Sequence, residues 1–87
     1  MNEYGIAVFR SRTQTFNFNR ILSYNNILCE IINTPREVAI GCGLSVKFEL
    51  GYLKEVKNLL NVSVFKSFVG FYLVKKDGYN VYVKNKL

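Results

Sequence analysis

The chain has 87 residues, of which 49% are hydrophobic, and its formal net charge is +6. A chain of this length forms one domain that buries roughly 60–65% of its unfolded surface. It contains no histidine and only two cysteines, which excludes Cys–His and Ser–His–Asp catalysis, histidine-containing zinc sites and a four-thiolate metal site within one chain.

The first predicted elements are a strand, a helix and a second strand. Residues 4–9 (YGIAVF) are apolar at every position, which is typical of a strand covered on both faces. Ser11 and Gln14 have the spacing of a capping box, and Asn25-Asn26 can end the helix that it opens. Residues 28–32 (LCEII) then predict a strand in which Cys29 is a packing residue.

The middle of the chain predicts a short helix, a strand and a longer helix. Thr34-Pro35-Arg36-Glu37 has an N-cap threonine, a proline at the first helical position and a glutamate at the third, so a short helix should begin there and end at Gly41 or Gly43. Residues 44–50 alternate between apolar and polar side chains, as a half-buried strand does. Residues 52–60 (YLKEVKNLL) predict an amphipathic helix.

Two further strands follow, at 68–74 and 79–83, joined by a turn at Lys76-Asp77-Gly78. The element order is therefore β-α-β-β-α-β with an added C-terminal strand. This order predicts an α+β, ferredoxin-like two-layer sandwich in which the first and fourth strands are central and the fifth lies beside the fourth.

The predicted sheet has one face without helices. Right-handed crossovers place both helices on the same face of the sheet. The strand segments YGIAVF and FVGFYLV, however, carry apolar side chains on both of their faces. We therefore expect a homodimer that covers the second face.

Cys42 stands between Gly41 and Gly43. The thiolate is the reactive form of cysteine, and flanking glycines allow a sharp bend whose N–H groups can bind an anion while they leave the sulfur uncovered. Arg36 and Lys47 are possible cations beside it. A position after the helix that opens at Pro35 would instead put Cys42 near a negative dipole end, which disfavours thiolate. Alternatively, Gly-Cys-Gly is a tight turn around a buried, inert cysteine.

The segment Thr34-Pro35-Arg36, the Cys42-Gly43 pair and Gly70-Phe71-Tyr72 together resemble the selenium/sulfur (Se/S) carrier protein-like family of small bacterial proteins. The resemblance covers residues 4–74, so we divide the chain into a carrier-like domain at 1–75 and a hairpin strand with a basic tail at 76–87. It implies that Cys42 accepts sulfur or selenium as a persulfide or perselenide. In that role Arg36 would steady the anion, with Gly41 and Gly43 beside it, and Thr34-Pro35 would hold the motif.

Three functions follow in order of preference. A carrier would take a chalcogen atom from a donor protein and pass it to an acceptor protein, so it would be a carrier substrate rather than a true enzyme, with no cofactor and no metal. A non-catalytic dimeric interaction or regulatory module is the alternative. Nucleic-acid binding through basic side chains and tyrosines on an open sheet ranks last, because the alternating strand segments show no RNP-like aromatic-basic signature. The basic residues are also spread along the chain, and only Arg10/Arg12 and Lys75/Lys76 are clustered.

The sequence also predicts the compartment. The N-terminal residues lack the layout of a signal peptide, and no apolar run approaches the roughly 20 residues that span a bilayer. We therefore expect a cytoplasmic protein without membrane contact, in which both cysteines are thiols.

Overall fold

The computed structural model describes residues 2–85 and 87. The elements follow in the order β1 (Asn2–Phe9), α1 (Arg12–Tyr24), β2 (Cys29–Asn33), β3 (Leu44–Phe48), a 3₁₀ turn (Leu50–Tyr52), α2 (Leu53–Leu59), β4 (Phe68–Asp77) and β5 (Asn80–Asn85). The predicted α+β class is confirmed. The predicted domain at 1–75 and basic tail at 76–87 include Met1 and Lys86, which lie outside the described residues.

The strands form one open antiparallel sheet in the order β2-β3-β1-β4-β5. Residues 5–8 of β1 pair with β3, and the whole of β1 pairs with β4, with a register shift between Val8 and Phe9. β1 is therefore the middle strand, and β5 lies beside β4 as predicted.

Both ends of α1 are held by the residues that the sequence indicates. The Gln14 N–H donates to Ser11 Oγ over 3.2 Å at the N-terminus, and Asn26 adopts a φ of 60° just beyond the C-terminus. The Gln14 side chain bonds elsewhere than in a capping box: its Oε1 accepts from the Ser67 N–H at 3.0 Å and from Ser67 Oγ at 2.6 Å. These bonds fix the start of α1 to the segment that leads into β4.

The helix-covered face of the sheet holds the larger part of the core. Phe9 lies at its centre, and its ring centroid is 5.4–5.6 Å from those of Phe18, Phe65 and Phe68. Tilted and edge-on aromatic pairs at this distance add stability beyond their buried area. Among the described residues, no helix has the length and apolarity needed to cross a bilayer.

The opposite face of the sheet is covered in part by the segment 34–43, which joins β2 to β3 and which we call the connecting loop. Val38 of this loop is 7% exposed and packs with Tyr4, Ile6, Val8 and Val74. The chain therefore supplies some of the cover that the sequence assigned to a second copy.

The prediction of a short helix at Pro35 is wrong. Residues 36 and 37 form a turn in which the Val38 N–H donates to the Pro35 carbonyl over 2.9 Å, and no helix begins in the connecting loop. A helix of this length has too few internal hydrogen bonds to offset its nucleation cost, whereas burying Val38 on the sheet gains apolar contact. β3 also ends at Phe48 instead of Leu50, because Leu50 begins the 3₁₀ turn.

Candidate functional site

Cys42 rests against the C-terminal end of β1. Its N–H donates to the Phe9 carbonyl over 3.1 Å, so this residue extends the hydrogen bonding of the middle strand. Gly41 and Gly43 adopt φ values of +105° and +89°, which side chains rarely allow. A Cβ at Gly41 would lie 2.8 Å from Val8 Cγ1 and 3.0 Å from the Phe9 carbonyl oxygen. The glycines are therefore needed for the bend that brings Cys42 to this position.

The Cys42 thiol contacts the first turn of α1. Its Sγ is 3.5 Å from Thr15 Oγ1 and 3.5 Å from the Leu44 carbonyl oxygen. The Thr15 side chain is fully buried, and its hydroxyl is 2.9 Å from the Ser11 carbonyl, to which it donates. A hydroxyl proton can rotate between acceptors, so Thr15 can also donate to the sulfur. Cys42 itself is half-buried, which leaves it neither fully displayed nor enclosed.

The segments next to Cys42 carry three basic residues. Arg10 follows Phe9 directly, Arg12 is the first residue of α1, and Lys66 precedes Ser67, whose carbonyl accepts from the Arg10 N–H at 2.9 Å. All three cations are exposed, and the sequence has no acidic residue at 9–19, 41–43 or 61–67. We call residues 9–15, 41–43 and 66–67 the Cys42 edge.

The unfavourable helix dipole predicted beside Cys42 does not arise. The sequence places the cysteine after a helix that opens at Pro35, near the negative end of its dipole, but that helix is absent. Instead, the thiol contacts Thr15 in the first turn of α1. This contact is to a side-chain hydroxyl, since the N–H groups of Gln14 and Thr15 both bond to Ser11.

Arg36 lies on the other face of the sheet. It lines a groove of about 570 Å³ together with Tyr4, Lys47 and Tyr79, whereas the Cys42 thiol lies beside α1. Within the described part of the chain no hydrogen bond joins Arg36 to Cys42. Lys47 is also distant from the thiol, since its Nζ lies 4.5 Å from the centre of the Tyr4 ring and 3.6 Å from Glu30.

The residues of the Thr34-Pro35-Arg36 segment do not lie together at Cys42. Thr34 closes the loop, because its N–H donates to the Gly43 carbonyl over 2.9 Å, and its hydroxyl bonds to that of Ser45. Pro35 begins the turn that holds Arg36. The structure thus brings Gly41, Cys42 and Gly43 together with Thr34 nearby, but not Arg36. The anion-steadying role of Arg36 stays a prediction from the resemblance.

Cys29 has different neighbours from Cys42, although both thiols donate to a backbone carbonyl. Its Sγ donates to the Asn19 carbonyl over 3.3 Å, and burial raises the pKa of this thiol. Both cysteines are free. Within residues 2–85 and 87, no three His, Cys, Asp or Glu side chains lie close enough together to hold a metal ion.

Thr15, Arg10, Arg12 and Lys66 are the site residues that the sequence interpretation missed. The first of them has a local signal, since Thr15 is a polar residue on the buried stripe of α1, beside Phe18 and Leu22. The three basic residues have no such local signal, because only the fold brings residues 41–43 to the end of β1.

A comparison with known families gives a match that covers the connecting loop. A family model described as "Putative Se/S carrier protein-like" matches residues 4–66, from β1 to the segment that precedes β4. Searches of curated proteins and of solved structures found no match. The matched region includes all of the connecting loop, Cys42 and α1, and leaves β4 and β5 outside it. Because the match spans well over half of its length, this chain belongs to the Se/S carrier protein-like family.

Proposed function

We propose that this protein carries sulfur or selenium as a persulfide or perselenide on Cys42. The observation that supports this most directly is the position of the thiol. It is half-buried at a bend between two glycines of positive φ, against the first turn of α1. Burial raises the pKa of the other thiol, Cys29, which donates to the Asn19 carbonyl.

The loading step is an exchange at sulfur. The Cys42 thiolate attacks the outer sulfur of a persulfide on the donor protein, R–S–SH. A new S–S bond forms at Cys42 and the donor's S–S bond breaks, so that the products are Cys42–S–SH and the donor thiolate R–S⁻. Charge, sulfur atoms and protons balance without an added oxidant or reductant. Selenium follows the same scheme from a perselenide donor.

The Cys42 edge supports each stage of this step. Arg10, Arg12 and Lys66 make the approach favourable for an anionic sulfur, and the Thr15 hydroxyl can turn from the Ser11 carbonyl to donate to it. Beyond its two chain neighbours, no atom lies within 4 Å of a Cβ built on Gly43, so the backbone on that side of Cys42 is uncovered.

We further propose that the fold is ferredoxin-like and that the protein acts between a donor protein and an acceptor protein. The order β-α-β-β-α-β and the strand arrangement β2-β3-β1-β4 support the first of these. The exposed cations around Cys42 support the second, because transient partners are steered by complementary charge.

The test is loading followed by mass spectrometry. The protein is incubated with a cysteine desulfurase and cysteine, under conditions that load an established carrier, and is then digested without reductant. We expect a mass gain of one sulfur on the peptide that contains Cys42, retained in Cys29→Ser and abolished in Cys42→Ser. A selenium-delivering donor tests perselenide formation in the same way. Absence of the gain in the wild type, or its presence on Cys29 alone, would contradict the proposal.

A further inference from the structure

The solvent-facing side of α1 combines arginine and aromatic side chains. Arg12, Phe16, Arg20 and Tyr24 recur every fourth residue, and all four are exposed, Phe16 at 45% and Tyr24 at 81%. Successive members lie about 6 Å apart along the helix axis. We call these four residues the arginine–aromatic stripe. The buried side of α1, with Thr15, Phe18 and Leu22, faces the sheet.

This stripe differs from an ordinary solvated helix face. Exposed helix faces usually mix acidic and basic residues, but the sequence has no Asp or Glu at 4–29. The ion pairs among the described residues join other side chains, and so does the cation–ring contact. Both guanidinium groups and both rings of the stripe are therefore available to a partner.

The distribution of cations gives an independent argument. Every arginine of the chain lies at 10, 12, 20 or 36, whereas every lysine lies at 47 or later. Arginine binds phosphate through two parallel N–H donors and stacks on planar rings, while lysine is a strongly hydrated point charge. The surface of α1 thus holds the type of cation that suits phosphate and planar groups.

We propose that the arginine–aromatic stripe binds single-stranded nucleic acid. Arg12 and Arg20 would contact phosphates, while Phe16 and Tyr24 would stack on unpaired bases. An acidic peptide would satisfy the arginines but offers no planar group to the two rings, and duplex bases are already stacked on each other. By sequence this class ranks last because the strands show no RNP-like aromatic-basic signature, but the stripe lies on a helix, whose spacing brings arginines and aromatic rings onto one surface.

The experiment measures fluorescence anisotropy of labelled oligouridylate and oligodeoxyuridylate of about 16 nucleotides with the full chain. We expect the dissociation constant to rise roughly fivefold or more in Phe16→Ala and in Tyr24→Ala. In Arg20→Ala the slope of log K against log salt should become shallower by roughly 0.7. A preference for RNA over DNA would assign a contact to the 2′-hydroxyl, and equal binding would assign recognition to bases and phosphates alone. Either result supports the proposal.

Two controls separate the stripe from general charge and from the carrier site. The double variant Lys54→Ala/Lys57→Ala removes two exposed cations of α2 and should bind within about twofold of the wild type, as should Cys42→Ser. Far-UV circular dichroism checks that each variant is folded, which is expected because the stripe is exposed.

Several results would overturn the proposal. They are an undetectable anisotropy change at low ionic strength, an equal loss of affinity in the α2 control, and loss of binding in Cys42→Ser. Equal affinity for an abasic oligomer would show that the rings do not stack on bases. Binding of polyglutamate without binding of oligonucleotide would assign the stripe to an acidic protein instead.

Discussion

The two glycines beside Cys42 have similar backbone angles but different surroundings, so they should respond differently to substitution. At Gly41 a Cβ would approach Val8 Cγ1 and the Phe9 carbonyl at 2.8 and 3.0 Å, whereas at Gly43 it would meet no atom within 4 Å. Gly43→Ala should lower the free energy of unfolding by about 1 kcal/mol through backbone strain alone. Gly41→Ala should lower it by roughly 2–4 kcal/mol, since overpacking is added.

Urea unfolding of the two glycine variants measures this difference. Equal destabilisation would mean that the connecting loop moves away from β1 at little cost, contrary to the packing described.

The two thiols should differ in reactivity. Both are half-buried and donate to a backbone carbonyl. Burial raises the pKa of the Cys29 thiol, whereas Cys42 stands at the bend between Gly41 and Gly43. We expect iodoacetamide to modify Cys42 several-fold faster at neutral pH, because only thiolate reacts. Peptide mass spectrometry during the time course gives both rates. The difference should vanish in urea, and its reversal in the folded protein would contradict the assignment.

At this scale the sequence identified Cys42, Gly41 and Gly43 but not their neighbours. The glycine pair is a local signal for a bend, so it needs no tertiary information. The contact with Thr15 arises only because the connecting loop returns to the end of β1, and no local pattern encodes that return. The same reason explains why Arg36, six residues from Cys42 in the chain, lies on the opposite face of the sheet.

The connecting loop acts as a cover for one face of the sheet, and Val38 is the side chain that makes this contact. Val38→Ala should lower the free energy of unfolding by about 1–2 kcal/mol, because it removes two buried methyl groups from the cluster around Ile6 and Val8. Val62→Ala is the matched control, since Val62 is 66% exposed and its truncation should change stability by at most about 0.5 kcal/mol.

Chemical denaturation of both valine variants gives the comparison. A Val38→Ala protein as stable as the control would indicate that the loop does not cover the sheet in solution.

The secondary structure elements were largely predictable, and the exceptions share a cause. The end of β1 and both ends of α1 follow from an apolar run, a cap at Ser11 and a stop at Asn25-Asn26, all of them local patterns, whereas β1 begins at Asn2, two residues before the apolar run. The failed helix at Pro35 also had a good local start, but it lacked the length to be stable alone. There the sheet surface decided the conformation by burying Val38.

For the whole molecule, stability should decrease in alkaline solution. Burial raises the pKa of Cys29 and of Tyr4, so the folded state holds these protons at a pH where the unfolded state releases them. The stability linked to Cys29 is therefore complete below about pH 8.5 and is lost as the pH rises through its raised pKa, with Tyr4 adding to the decline above about pH 10.

Thermal unfolding at a series of pH values tests this linkage. Cys29→Ser keeps a donor for the Asn19 carbonyl but does not titrate, so its stability should decline less steeply between about pH 8.5 and 10. A parallel decline in both proteins would assign the effect to other groups.

The homodimer expected from the sequence is the second prediction for the whole molecule. The connecting loop covers part of the face in question, but Ile32, Tyr72, Val81 and Val83 remain only partly buried around that cluster. Light scattering at micromolar concentration should give the mass of two chains. The mass of a single chain would mean that the remaining apolar surface is tolerated in water.

The hydrogen bond between Thr34 and Gly43 has a practical consequence. It ties the two ends of the connecting loop together, so the chain could be severed inside the loop, for example by trypsin after the exposed Arg36, without releasing either strand. The two fragments would stay joined through the pairing of β1 with β3 and β4 and of β2 with β3. The protein could then be reconstituted from two peptides, with Cys42 in the second one, where a chemist can install selenocysteine directly.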